Sequence, residues 1–243
     1  MVSGFGLIIP AAFHLAVTQT NDATSEEIDS KVLQISRVTS ILLIISYAIY
    51  VFFQIRTHES IYDSIFAEDV RKDKDKHKDA RKEKLTFTEC ALALAVSIAL
   101  VTVIAICLVD QIHYIVEDHH ISDLFLGLIL VPLVEKFAEH LTAIDEAWDN
   151  QMNMALSHVL GATVQTALFN GPLAVIVAWG LGKGLDLNFQ LFNVVVLILA
   201  ILVVGNFLRD QKSNYLEGSL CVIVYVNIAV AAYYYPNPKK GGA

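Results

Sequence analysis

Long apolar runs alternate with short charged stretches along the chain. Residues 38–55, 90–109, 152–181, 187–208 and 218–235 contain no Asp, Glu, Lys or Arg. A helix crosses a hydrocarbon core with about 20 apolar residues, so each of these runs is long enough, or nearly so, to span. Residues 1–16 form a shorter candidate, interrupted by Pro10 and His14, and residues 124–146 begin as a seventh before acquiring Glu135, Lys136, Glu139, His140, Asp145 and Glu146. The pattern predicts an all-α polytopic membrane protein with about seven transmembrane segments.

Composition agrees. The 243 residues are 55% hydrophobic and only 17% charged, with a mean hydropathy of +0.55, which excludes an ordinary soluble domain. The N-terminus has no basic region and so does not read as a signal peptide. Cys90, Cys107 and Cys221 all fall within apolar spans and read as small buried hydrophobes, not a disulfide framework.

Charge divides the chain further. Nine of the seventeen Lys and Arg residues lie between Arg56 and Lys84, most of them in "RKDKDKHKDARKEK". Basic loops accumulate on the cytosolic side of membranes, so residues 56–89 are expected to form a charged cytosolic loop, partly helical, in contact with solvent or lipid head groups. Counting spans outward, "NDATSEEID" and "DQIHYIVEDHHISD" fall on the opposite side, Arg209 and Lys212 return to the cytosol, and Lys239 and Lys240 run against the rule.

Segment 127–148 is where ionisable groups enter an apolar context. Read as one helix, it sets Glu135, Glu139, Thr142 and Glu146 at intervals of four, three and four, along a single stripe, with Lys136 and His140 on the adjacent strip, close enough for mutual neutralisation. An ionised side chain near the bilayer centre costs a few kcal/mol, so such groups face a bundle interior or a watery path. Pro132 lies just before Glu135 and is expected to free backbone oxygens, which suit a cation beside a carboxylate. An amphipathic helix at the membrane surface is the alternative, disfavoured by the unbroken apolar run 124–134 and by Trp148 at the expected interface. Glu139 is expected to lie deepest, with Asp145, Glu146 and Asp149 in water.

The next run, "MALSHVLGATVQTALFNGP", places His158, Gly161, Ala162 and Gln165 on one helical face, and its Asn170-Gly171-Pro172 is expected to break the helix within the membrane. Small residues let helices approach closely, and Gln165 offers a neutral oxygen.

Together "GLILVPLVEKFAEHLTAIDEAWDNQMNMALSHVLGATVQTALFNGP" resembles the second repeat of the vacuolar Ca2+/H+ exchangers, within the cation/Ca2+ exchanger superfamily. Gly127, Pro132, Ala138, Glu139, His140, Ala155, Gly161 and Gln165 fall on positions of the family pattern. "LIIPAAF", "LQISRVTSILLIISYAIYVFFQIRTH" and "SNYLEGSLCVIVYVNIAVAAYYYP" look like the family's helices five, six and eleven, and the chain looks like a divergent, fungal-type member. The resemblance implies membrane helices over residues 1–55, an exchanger-type domain over 90–235, a short tail at 236–243, and the second half of an inverted-repeat fold. By that resemblance Glu139 ligates the cation and trades it for a proton, with Gln165, Gly161, His140 and Glu135 around the site and no resident cofactor.

Two positions depart from the pattern. Glu135-Lys136 stands where the family has Gly-Asn, and Ala162 where it has Ser. Glu135 can replace the lost oxygen while Lys136 turns outward or pairs with it, or the Lys136 ammonium can block Ca2+ or mimic it. No counterpart of the acidic motif occurs before residue 120, so the chain reads as a fragment, as a product of a mispredicted start, or as a half-transporter working with an N-terminal half or a second copy. The resemblance implies calcium/proton antiport at the vacuolar membrane, with cations, protons and lipids as partners and no nucleic acid. A non-transporting, structural membrane protein is the alternative. A metal hydrolase is disfavoured, because no His-Glu-x-x-His spacing occurs.

Overall fold

The computed structural model describes residues 2–19, 24–74, 85–118, 121–210 and 212–237. Most of the basic run, together with His119, His120, Lys239 and Lys240, lies outside the described residues. Among the described residues every regular element is helical: α1 (Val2–Thr18), α2 (Ser25–Phe52), α3 (Glu59–Lys72), α4 (Phe87–Asp118), α5 (Asp123–Phe125), α6 (Val131–Glu135), α7 (Phe137–Trp148), α8 (Met152–Gln165), α9 (Gly171–Gly180), α10 (Leu191–Phe207) and α11 (Tyr215–Tyr233). Of the described residues, four stretches are long and apolar enough to cross a membrane, namely Ser25–Thr57, Phe87–Val116, Met152–Gly180 and Tyr215–Tyr233, and α1 and α10 are shorter apolar helices.

Local sequence explains several helix ends. Thr86 and Glu89 form a capping box at the start of α4, in which Glu89 Oε2 accepts from the Thr86 N–H at 2.8 Å. Asn214 Oδ1 accepts the Glu217 N–H at 3.0 Å and so caps α11. Inside the apolar helices, hydroxyls bond the carbonyl four residues back, as Ser46 does to Leu42, Thr102 to Ile98 and Thr163 to Val159. Each hydroxyl is thereby satisfied where no water would reach it.

The chain forms two compact units. One comprises Met1–Lys72 and Leu141–Cys221, and the other Asp73–His140 and Val222–Ala243. In the first, α1 and α9 pack on α2. Their contact runs along a buried stripe of Ile28, Val32, Ser36, Ser40 and Leu43, spaced at the helical repeat. Small residues allow the close approach: a Cβ added at Gly6 would stand 2.6 Å from Leu43 Cδ2. Ser36, wholly buried, accepts the backbone N–H of Leu187 at 3.0 Å, while Ser40 donates to the Ser36 carbonyl at 2.7 Å. The Arg37 guanidinium lies over the Trp179 ring, 5.1 Å from its centroid.

Helix α3, from the expected charged loop, packs against α8 in the same unit. On its surface Lys72 donates to Glu68, and this bond and the ammonium charge hold the Glu68 carboxyl below its usual range. That contribution to α3 is present at neutral pH and is lost as pH falls through the lowered value.

In the second unit α4 is exposed along residues 87–111, an apolar surface suited to lipid. Phe125 meets Tyr233 edge-on at 5.4 Å. Asn237, in the expected tail, accepts the Asp123 N–H at 2.7 Å and donates to the Ile121 carbonyl at 3.3 Å. It caps α5 in place of Ser122, whose side chain makes no capping bond.

Two expectations about helix continuity are corrected. Segment 127–148 is not one helix, because Lys136 separates α6 from α7 with φ −92° and ψ 5°. Conversely, Asn170-Gly171-Pro172 does not break its helix. Residues Thr166–Asn170 wind as a π-turn in which the Gly171 N–H bonds the Thr166 carbonyl, and α9 continues past Pro172. The same device precedes Pro132, where Leu126–Leu130 form a π-turn and the Val131 N–H bonds the Leu126 carbonyl. A proline ring clashes with the carbonyl four residues back in α-register, and one extra residue in the turn relieves the clash.

Ser36 yields a stability prediction. Ser36→Ala removes the acceptor for the Leu187 N–H in a dry interface and should cost about 1–3 kcal/mol. Thermal unfolding of purified protein in detergent reads the loss, whereas Ser46→Ala, whose hydroxyl serves only its own helix, should leave the midpoint nearly unchanged.

Candidate functional site

The break at Lys136 organises the charged cluster. The Lys136 N–H still bonds the Pro132 carbonyl at 2.9 Å, and its own carbonyl accepts the His140 N–H at 2.9 Å, so the chain bends without losing its ladder. The His140 ring adds a second bond to that carbonyl, Nδ1 to oxygen at 2.6 Å. A carbonyl only accepts, so Nδ1 carries the proton in this bond. His140 thus braces the bend and takes no part in neutralising Lys136.

Lys136 instead reaches the two glutamates. Its Nζ lies 3.1 Å from Glu139 Oε1 and 3.6 Å from Glu135 Oε1. Of the dispositions the sequence leaves open, the structure takes the one in which the ammonium sits between both carboxylates. The Lys136 side chain is 29% exposed, the Glu139 side chain 42% and that of Glu135 65%.

Glu146 differs from expectation. Its side chain is only 22% exposed, less than that of Glu139, and Oε2 is buried without a partner, while Oε1 stands 3.4 Å from His158 Nδ1. Position 146 on α7 thus meets His158 on α8 across the tight turn at Asp149–Gln151. That turn carries Asn150 in the left-handed region at φ 66° and is closed by the Gln151 N–H bonded to the Glu146 carbonyl at 2.8 Å. Sequence reasoning placed His158 on the Gly161 face but did not pair it with Glu146.

Gly161, Ala162 and Gln165 lie on α8, the first two half-buried and Gln165 exposed at the last helical position before the π-turn. They belong to the first unit, and Glu135, Lys136, Glu139 and His140 to the second. Among the described residues no group of three or more His, Cys, Asp or Glu side chains gathers as a metal site. In the second unit Glu135 and Glu139 flank the Lys136 ammonium.

Asp69 was missed by sequence reading. It lies in α3, is 1% exposed, and accepts from Asn153 Nδ2 and from the Met154 N–H, both at 2.9 Å. A lone Asp in a mixed-charge run carries no signal of a partner 84 residues away.

Comparison with known proteins places the chain in a family. The family model described as sodium/calcium exchanger protein matches residues 90–234. The vacuolar calcium ion transporter of Schizosaccharomyces pombe is 31% identical over 231 residues, covering 95% of this chain and 53% of that protein. Vacuolar cation/proton exchanger 2 of Arabidopsis thaliana is 28% identical over 242 residues, covering 100% of this chain and 53% of the relative. The chain thus spans about half the length of the curated relatives it matches. In structure it is similar to the Ca2+/H+ antiporter protein YfkE, with a TM-score of 0.71 at 23% identity, over 97% of this chain and 62% of the other. With an exchanger-family match over most of its second half, relatives along its whole length and the same helical fold, the chain belongs to the sodium/calcium exchanger protein family.

Proposed function

We propose that the chain supplies one repeat of a cation/proton antiporter of the vacuolar membrane, with Ca2+ the first cation to test and Glu139 the group that holds cation and proton in turn. The observation that carries this reading is the Glu139 carboxylate, half-exposed just past the bend at Lys136 and already engaged by a positive charge at 3.1 Å. A carboxylate so placed has three competing partners: a proton, a metal ion and the tethered ammonium. Antiport follows when the first two exclude each other at one oxygen pair. The relatives' names, calcium ion transporter and cation/proton exchanger, fit that chemistry.

Lys136 then sets the working range. Ca2+ takes six to eight oxygen ligands, and to reach Glu139 it must first displace an ammonium that brings charge but no lone pair. Glu135 supplies further oxygens next to the position that Lys136 vacates. The remaining ligands come from outside the Glu135–His140 cluster. The first repeat of a two-repeat exchanger supplies the facing half of the shell and the seal that closes one side while the other opens.

Two outcomes test the site. Co-expressed with the N-terminal half of one of its relatives and reconstituted in acid-loaded vesicles, the chain should drive Ca2+ uptake, and Glu139→Gln should abolish uptake while the protein still inserts. The amide keeps the size but cannot trade a proton for a cation. Normal uptake by that variant removes Glu139 from the mechanism, and robust uptake by the chain alone points to two copies pairing in one exchanger. Absence of uptake in every combination would favour a non-transporting role.

Lys136→Asn, which restores a neutral oxygen, should raise apparent Ca2+ affinity about tenfold, or about 1.4 kcal/mol. Full Coulomb strength is not expected at a partly exposed pair. An unchanged affinity in the same uptake assay would mean that the ammonium swings clear before the cation arrives.

A further inference from the structure

Among the described residues Asp69 is the charged side chain that folding buries, at 1% exposure, and the exchange chemistry above makes no use of it. It comes from α3, near the end that precedes the basic run. Its two oxygens are both committed to the start of α8, Oδ1 to Asn153 Nδ2 and Oδ2 to the Met154 N–H.

The first turn of a helix has N–H groups with no partner inside the helix, and a nearby side chain usually caps them. Here Gln151 holds the cap position with φ −96° and ψ 54°, and its side chain makes no capping bond. The carboxylate of Asp69 fills that role from another helix, and its charge suits the positive end of the α8 dipole. Asn153 adds a side-chain clamp to the same oxygen pair, so α3 is fastened at two points. The α7–α8 turn lies immediately before this fastening, closed by the bonds from Asp149 N–H to Asp145 O at 3.0 Å and from Gln151 N–H to Glu146 O at 2.8 Å.

We propose that Asp69 is a positioning residue that latches α3 onto the first turn of α8 and thereby fixes the axial placement of the Gly161 to Gln165 face. The role rests on the exchanger reading above, but the latch itself can be measured without transport. While the latch is closed, α3 and α8 move as one body. When it opens, α8 loses its cap and frays from its first turn toward Gly161.

The test uses the full chain and a reciprocal swap. Asp69→Ala should speed amide hydrogen exchange at Met154 at least tenfold in detergent-purified protein. Asn153→Asp, which sets carboxylate against carboxylate, should do the same. Combining Asn153→Asp with Asp69→Asn should restore protection, since the amide then at position 69 can donate to the carboxylate at position 153 while its carbonyl oxygen still accepts from the Met154 N–H. In the vesicle assay, Asp69→Ala and Asn153→Asp should raise the Ca2+ concentration for half-maximal uptake at least fivefold, and the swap should bring it back toward the starting value. If Asp69→Ala fails to fold, Asn153→Asp and the swap carry the same comparison. Unchanged Met154 exchange overturns the latch. Loosened exchange with unaltered half-maximal Ca2+ overturns the positioning role. A loss of uptake in Glu139→Gln bears on the exchange site alone and leaves the Met154 result standing.

Discussion

Backbone N–H and C=O groups inside a bilayer have no water to bond, so a proline in a spanning helix must be accommodated by the helix itself. The chain meets that constraint twice with the same construction. A π-turn at Leu126–Leu130 precedes Pro132, and another at Thr166–Asn170 precedes Pro172. Both helices continue past their prolines. The polar groups fall beside this construction: the first π-turn ends five residues before Glu135, and the second begins directly after Gln165. The same demand for internal partners explains the hydroxyls bonded within their own helices and the Ser36 acceptor for Leu187.

Where the helical geometry does yield, it yields at Lys136, with φ −92° and ψ 5°, although its own N–H and C=O keep their bonds. The bend separates α6 from α7 and is braced by the His140 ring on the Lys136 carbonyl. That carbonyl accepts two hydrogen bonds and has little capacity left for a metal ion. The oxygens most open to a cation in this stretch are therefore the side chains of Glu135 and Glu139, and both are shared with the ammonium. The bend brings charge together more than it exposes backbone.

The apolar helices were legible in the sequence, since hydropathy marks each apolar run directly, and every such run carries a helix, four of them among the described residues long enough to cross a membrane. Helix ends were less so. Helix α2 starts at Ser25, thirteen residues before the apolar run, because Glu27 and Lys31 pair at 2.6 Å on its surface and extend the helix into water. The family motif pointed to Glu139, Gly161 and Gln165, but not to which neighbour Lys136 would choose, which depends on a rotamer and a bend that no spacing encodes. Glu146 was misjudged because position along a span does not say which neighbour a side chain faces. Asp69 was invisible for a simpler reason, as its partners are brought near only by the fold.

The ammonium between two glutamates has an electrical consequence. With both carboxylates ionised, Glu135, Lys136 and Glu139 together carry a single negative charge. One proton brings the triad to neutrality, and so does a monovalent cation, whereas a divalent cation leaves it positive. Moving one net charge through the field is worth about 2.3 kcal/mol per 100 mV. An exchanger that used this triad alone would thus swap Ca2+ for a proton with a change in carried charge, and its direction would answer to membrane voltage as well as to the pH gradient. A carboxylate facing the triad from elsewhere in a complete transporter would cancel that dependence only by taking up a second proton, so the voltage sensitivity of transport counts the protons exchanged for each Ca2+.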